Sequence, residues 1–303
     1  MQKDIVIIGS GPAGLSAGIY AARAGYDALI IERTGMGGGQ VLSTYEVDNY
    51  PGLPGIDGFE LGTKMYEHVK SLGLEILPCD VKMVEIKDGV KVIHTSDGEI
   101  NAKALVIATG AKHAKLNVKG EERLAGRGVS YCATCDGAFY RNKIVAVVGG
   151  GDVAVEDAIF LAGMCEKVYL IHRRDELRAA KSLQGKLLQQ NNVEVLWNTV
   201  VREVEGEGKV ETLELQNVKN EEISKLAVSG VFIAVGMKPE TEVFTNIVEM
   251  DSYGYVKAGE SCETNQPGVV VTGDARTKKL RQIVTAVADG ANAIYSLEKY
   301  LSM

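Results

Sequence analysis

Two cysteines separated by two residues, Cys132-Ala133-Thr134-Cys135, are followed at once by an acid, Asp136. That spacing lets the thiols close into a reversible disulfide and lowers the pKa of one of them. An adjacent carboxylate can relay the protons that thiol–disulfide exchange must move. The other chemistry open to such a pair is half of a zinc site. Tetrahedral zinc needs four ligands, and the chain holds no second Cys-x-x-Cys and no His-x-x-x-His, so no metal is expected. Cys79, Cys165 and Cys262 have no close partner and read as small buried apolar residues.

Two glycine-rich turns supply a second kind of chemistry: Gly9-x-Gly11-Pro12-Ala13-Gly14, and Gly149-x-Gly151-Asp152-Val153-Ala154. One such turn alone could be a flexible loop. Here each follows a short apolar run, Ile5 to Ile8 and Val145 to Val148, and each precedes a helical pattern and a second run, Ala28 to Ile31 and Val168 to Ile171. In a strand–turn–helix of this kind the glycines permit a tight turn, close approach to a pyrophosphate and helix-on-strand packing, with the helix N-terminus facing the anion. Both copies therefore read as dinucleotide sites.

The copies differ at the end of the second strand. Glu32, next to Arg33, lies 21 residues after Gly11 and is placed to accept from ribose hydroxyls, as an adenosine diphosphate without a 2′-phosphate requires; its alternative is a solvated strand-end carboxylate. The matching position is His172, which opens His172-Arg173-Arg174 with Arg178 beyond. A cationic cluster suits a 2′-phosphate, which arginine grips bidentately; the alternative is a charged helix face with local partners. The reading is FAD on the first copy and NADPH on the second.

These sites need elements to hold them, and an internal repeat provides them. Ile5 to Arg33 reappears as Val145 to Arg173 at a constant offset of 140 residues. Short alternating strands follow each copy (Leu74 to Leu77, Lys82 to Ile86 and Val90 to Ile93; then Val193 to Leu196, Val201 to Val204 and Thr212 to Leu215). Each half then closes on an apolar strand ending in glycine, Leu105 to Gly110 and Val231 to Gly236. A third strand, Val269 to Asp274, and a helix from about Leu280 to Leu301 must complete one half. The expected fold is α/β: two Rossmann-like, three-layer dinucleotide-binding domains, the second inserted in the first. The expected boundaries are 1–113 with 242–303 for FAD, and 114–241 for NADPH and the cysteine pair.

Composition bounds the partners. A chain of 303 residues is long enough for two domains, and a formal net charge of −7 with a pI of 5.3 argues against nucleic acid. The first strand begins at about Asp4, which leaves no room for a charged leader and cleavage site. No apolar run approaches the roughly 18 residues of a membrane span. A cytoplasmic location and no membrane contact are expected.

Taken together, these stretches resemble the low-molecular-weight bacterial thioredoxin reductases over essentially the whole length. The resemblance is carried by Gly9 to Gly14, Gly38-Gly39-Gln40, Asn49-Tyr50-Pro51-Gly52, Ala108-Thr109-Gly110, Cys132 to Asp136, His172-Arg173-Arg174 with Arg178, Gly273-Asp274 and Arg281-Gln282. It implies that Gly39, Gln40, Asn49, Asp274, Arg281 and Gln282 lie along FAD. It also implies that Cys135 faces the flavin, that Cys132 attacks thioredoxin, that Asp136 is the acid/base, and that the protein is a homodimer. One departure stands out. Many family members carry Ser or Thr where this chain has Val153, and one missing neutral hydrogen bond to phosphate would cost on the order of 1 kcal/mol. Two rival readings are a relative on the same fold that uses ferredoxin or oxidises small dithiols, in which the arginine cluster would be superfluous, and a flavin-bearing sensor module, which would not need the dithiol.

Overall fold

A computed structural model of the chain describes residues 1–44, 47 and 49–302. It forms two compact units, Met1–Lys112 with Lys238–Met303, and His113–Met237. The second is thus inserted in the first, and both are α/β.

The first unit begins β1 (Gln2–Ile8), α1 (Pro12–Arg23), β2 (Ala28–Glu32), α2 (Gly58–Ser71), β3 (Glu75–Pro78). Ile5, Val6 and Ile7 are fully buried, which is why β1 reads as an unbroken apolar run: a parallel strand covered on both faces has no polar side to show. A hairpin follows, β4 (Val81–Lys87) and β5 (Val90–Thr95), turned by Asp88 and Gly89, both at positive φ as a two-residue turn demands. The long strand β6 (Gly98–Ile107) then pairs antiparallel with β5 through its first half and parallel with β1 along most of its length.

The chain leaves this unit within β7 (Ala111–His113) and builds the second: β8 (Val129–Ser130), α3 (Ala133–Asp136), β9 (Ile144–Gly149), α4 (Asp152–Ala162), β10 (Lys167–Ile171), α5 (Lys181–Leu187), β11 (Val193–Leu196), β12 (Thr199–Glu205), β13 (Thr212–Asn217), β14 (Ile223–Ala227), β15 (Gly230–Ala234). Its parallel sheet has the order β11-β10-β9-β15-β8, and β12-β13-β14 form a separate antiparallel sheet. β14 has no counterpart in the sequence reading, because its residues are largely exposed and carry no apolar alternation.

The chain returns within β16 (Met237–Pro239) and ends in β17 (Val269–Val271) and α6 (Ile283–Leu301). β17 pairs in parallel with the second half of β6, at Leu105, Val106 and Ile107, so the third apolar strand completes the first unit. Helices α1 and α6 cover one face of that sheet, with Leu15, Ala21, Ile294 and Leu297 in the shared core; Val84, Ile93, Phe244 and Val248 cover the other. The β4–β5 hairpin continues the same seven-stranded sheet through β6.

Candidate redox and nucleotide sites

In the second unit, β8 pairs with β15 and delivers the chain into the short helix α3. Cys132 and Cys135 are bonded as a disulfide, with their Cα atoms 5.3 Å apart. A disulfide leaves neither sulfur as a thiolate ligand. No group of His, Cys, Asp and Glu that could hold a metal occurs among the described residues. Cys132 occupies the N-cap of α3, where its Sγ accepts from the Cys135 N–H at 3.2 Å. Once the bond is reduced, that N–H favours a thiolate on Cys132.

Asp136 closes the helix, and burial pushes its carboxyl above the usual carboxylate range against the opposing effect of a hydrogen bond from Ser130. The Ser130 hydroxyl donates to Asp136 Oδ2 at 2.6 Å and accepts from the Cys132 N–H at 3.1 Å. Beside it the Tyr131 hydroxyl donates to buried Glu121 at 2.8 Å, and the Tyr131 ring stacks on His113. Sequence reasoning had no signal for Ser130: one serine before a cysteine has no period and no motif.

The same unit holds the second glycine-rich turn. A Cβ on Gly151, at the N-cap of α4, would meet nothing within 4 Å, so the space over the helix N-terminus is open for an anion. Asp152 turns aside and accepts the Ala180 N–H at 2.7 Å, while Val153 stands 61% exposed in the first turn. Gly149 lies against Ala154 and the Ala234 carbonyl, where a side chain would not fit. Arg173, Arg174 and Arg178 are exposed and make no ion pair among the described residues, and the nearby acid Asp175 is taken by Lys219 at 2.9 Å. The alternative of a helix face with local partners therefore lacks its partners.

His172 is placed otherwise than expected. Its ring is buried, packs under Gly150, and bonds the Glu176 carbonyl through Nε2 at 3.0 Å. Burial pushes its pKa down against the opposing effect of backbone hydrogen bonds to Glu176 and Gly149, and the charges of Arg178 and Arg174 push the same way as burial. The Arg178 N–H donates to the Gly150 carbonyl at 2.8 Å, which fastens the arginine loop to the turn.

In the first unit, a Cβ on Gly14 would collide with the Gly9 carbonyl, and Gly11 faces the Cα of Gly39. A side chain on Gly39 would stand 2.9 Å from Gly11, so the loop 37–40 lies directly on the glycine-rich turn, tied by the Gly38 N–H to the Ser10 carbonyl at 2.7 Å. Pro12 opens α1, where its missing N–H costs nothing, and Ala13 behind it is buried. Glu32 accepts four hydrogen bonds, from the N–H and hydroxyl of Ser10 and of Thr34. Burial raises its pKa, but these bonds outweigh burial and hold it below the usual range. A ribose hydroxyl must displace one of the two side-chain donors. Arg33 pairs with Glu240 at 3.3 Å.

The remaining expected flavin residues converge in the same unit. Ala108 is buried, and the Gly110 carbonyl accepts the Glu240 N–H. Gln40 donates to the Ala111 carbonyl at 2.5 Å, and Asn49 donates to Gln282, the N-cap of α6, at 2.8 Å across 233 residues of sequence. Among the described residues, three buried side-chain atoms have no hydrogen-bond partner: Thr109 Oγ1, Asp274 Oδ1 and Arg281 Nε. Buried polar atoms are almost always satisfied, so a hydroxyl, a bare acceptor and a bare donor within one unit are what a polar ligand would complete. Burial pushes Asp274 above the usual carboxylate range, with Lys278 and Arg281 opposing, and Arg281 lies over the Tyr255 ring at 4.2 Å. The residues present fit a flavin dinucleotide.

Sequence reasoning missed the anchor of this strap. Asp289 of α6 is buried and accepts from the Gly273 N–H, from Arg276 at two nitrogens and from Lys278, all at 2.7–2.9 Å. No motif or spacing singles out Arg276 and Lys278, whose partner lies 13 and 11 residues away inside a helix pattern.

The family model for pyridine nucleotide-disulphide oxidoreductases matches residues 3–290. The chain is 46% identical to a thioredoxin reductase of Listeria monocytogenes over 301 residues, covering 98% of this chain and 93% of that one. It is 44% identical to that of Bacillus subtilis, covering 98% and 94%. The chain belongs to the thioredoxin reductase family. Among solved structures, the thioredoxin reductase from Streptococcus pyogenes superposes with a TM-score of 0.95 at 44% identity, covering 99% of this chain and 98% of that chain. Membership of this family implies FAD and NADPH as cofactors. No helix among the described residues is long and apolar enough to cross a membrane.

Proposed function

We propose that the chain is an NADPH-dependent thioredoxin-disulfide reductase, with the Cys132–Cys135 disulfide as the group that hands electrons to the partner. That disulfide, set on the inserted unit beside a half-buried carboxyl and a glycine-rich turn with unpaired arginines, is the observation that carries the reading. A bound FAD would supply the group that accepts hydride from NADPH and donates an electron pair to the disulfide. Gly9, Gly11 and Gly14 admit the pyrophosphate, Glu32 the ribose, and Thr109, Asp274 and Arg281 supply the unsatisfied polar atoms toward the rest of the flavin. Gly151 with Arg173, Arg174 and Arg178 serves NADPH in the second unit.

Within the exchange site the residues divide the work. Cys132, whose Sγ already accepts an N–H, attacks the partner; Cys135 resolves the mixed disulfide. Asp136, with a carboxyl raised by burial, holds and returns the proton. The partner is thioredoxin or a protein like it, and the enzyme works as a cytoplasmic homodimer. The test is anaerobic reduction of the purified flavoprotein by NADPH, followed by oxidised thioredoxin. Bleaching of the flavin and its return on adding thioredoxin is the expected result. A flavin that NADPH does not bleach, or that thioredoxin does not reoxidise, overturns the reading.

A further inference from the structure

Exchange moves protons together with electrons. Cys132 Sγ bonds to one partner sulfur, the partner S–S bond breaks, and the released sulfur takes up a proton. Cys135 Sγ then displaces the second partner sulfur from Cys132, and that sulfur takes up the other proton. The enzyme dithiol and partner disulfide have become an enzyme disulfide and partner dithiol, with two electrons and two protons transferred.

We propose that Ser130 is a positioning residue for this exchange: its hydroxyl ties the backbone of Cys132 to one oxygen of Asp136, leaving the other oxygen to carry the proton. The proposal rests on the reading of Asp136 as the acid/base. A serine hydroxyl has one hydrogen. It goes to Asp136 Oδ2 at 2.6 Å rather than to the Cys132 carbonyl at 3.3 Å, since a bond to a carboxylate is the shorter and stronger. The same oxygen accepts the Cys132 N–H at 3.1 Å, and the Asp136 N–H returns to the Cys132 carbonyl at 3.1 Å. Ser130 is 5% exposed and sits in register with Phe232 of β15, so the sheet fixes where its hydroxyl stands.

Asp136 Oδ1 has no hydrogen bond among the described residues. It is therefore the oxygen free to take a proton from a thiol. The titratable groups on the elements around it are Tyr131 beside β8, Cys132 at the N-cap of α3, Cys135 within it, Tyr140 just beyond, and Glu156 and Asp157 on α4, which packs on α3. The nearby cation Lys143 lies over the Tyr140 ring and donates to the Phe139 carbonyl, and Tyr131 gives its hydrogen to Glu121. Ser130 is the single side-chain donor to the Asp136 carboxylate among the described residues.

A donated hydrogen bond favours the charged carboxylate, so its loss must raise the pH at which Asp136 gives up its proton. The holoenzyme, reduced anaerobically with dithionite, is mixed with an oxidised bacterial thioredoxin, and the rate of thioredoxin reduction is followed across pH. With Ser130→Ala the midpoint of the profile moves up by about one pH unit, and Ser130→Thr, which keeps the hydroxyl, stays with the parent. Ser130→Gly is a second hydroxyl-free variant should the alanine variant not fold. Asp136→Asn separates the two readings. If it abolishes the parent midpoint while the hydroxyl-free variants keep it, the role of Ser130 is overturned alone. If Asp136→Asn itself keeps the parent midpoint, both fall.

Discussion

Asp289 grips Arg276 with both carboxylate oxygens, Oδ1 to Nη2 at 2.7 Å and Oδ2 to Nε at 2.8 Å, and Lys278 shares Oδ2 at 2.8 Å. All three side chains are nearly excluded from water. Asp289→Ala would leave two buried cations facing each other, a loss of about 3–5 kcal/mol for breaking such a pair from one side. Urea denaturation followed by flavin fluorescence is expected to find the first unit weakened and FAD released early. An Asp289→Ala protein as stable as the parent would mean that water or a rearranged strap replaces the carboxylate.

Replacing Arg173 and Arg174 together by glutamine should raise KM for NADPH by about 10-fold or more and leave KM for NADH nearly unchanged, because each charge-assisted contact to a 2′-phosphate is worth roughly 1.5–3 kcal/mol. Steady-state kinetics with both nucleotides decides this. His172→Asn should act differently: the ring supports Gly150 and the loop rather than the phosphate, so both KM values should rise together.

Cys135→Ser should trap thioredoxin on Cys132 as a stable mixed disulfide, because the resolving thiol is gone. Non-reducing electrophoresis followed by peptide mass mapping identifies the trapping sulfur. Trapping by Cys132→Ser instead would reverse the roles of the two cysteines.

Asp157, on α4, has its carboxyl pushed by burial, and secondarily by Glu156, from 3.8 up to about 7. A carboxyl raised on folding holds its proton longer in the native state, so its contribution to stability is complete below 3.8 and is lost as pH rises through about 7. Asp157→Asn, which cannot ionise, should therefore be more stable than the parent at about pH 8 and little different at about pH 4. Urea midpoints at the two pH values measure the effect. An equal difference at both would show that Asp157 does not titrate in this window.

Much of the architecture was legible because it rests on local signals. Ile5 to Ile8 and Val145 to Val148 can only be covered strands, and the glycines after them stand where a side chain would strike backbone or close an anion's space. The three lone cysteines are buried, as their chemistry suggested. What escaped depends on tertiary neighbours. His172 looks exposed because histidine is polar, yet Gly150 leaves room for the ring, and the ring takes it. Ser130 matters only because β8 lies beside β15 and turns back at once. Arg276, Lys278 and Asp289 form one buried cluster that no spacing announces. β14 pairs by its backbone alone and has no side-chain pattern to read.

The nested order of the two units also sets a schedule for synthesis. All strands of the inserted unit have left the ribosome by Met237, whereas the first sheet still lacks Val269–Val271, its partner for Leu105 to Ile107. Domains generally fold as units in the order made, so the later-starting unit is the first able to finish. Until β17 arrives, the second half of β6 presents an unpaired apolar edge, the kind of edge that joins other chains. Asp274, Arg281 and Gln282 emerge later still, so under the proposed assignment of these residues to the flavin, its capture follows completion of the sheet.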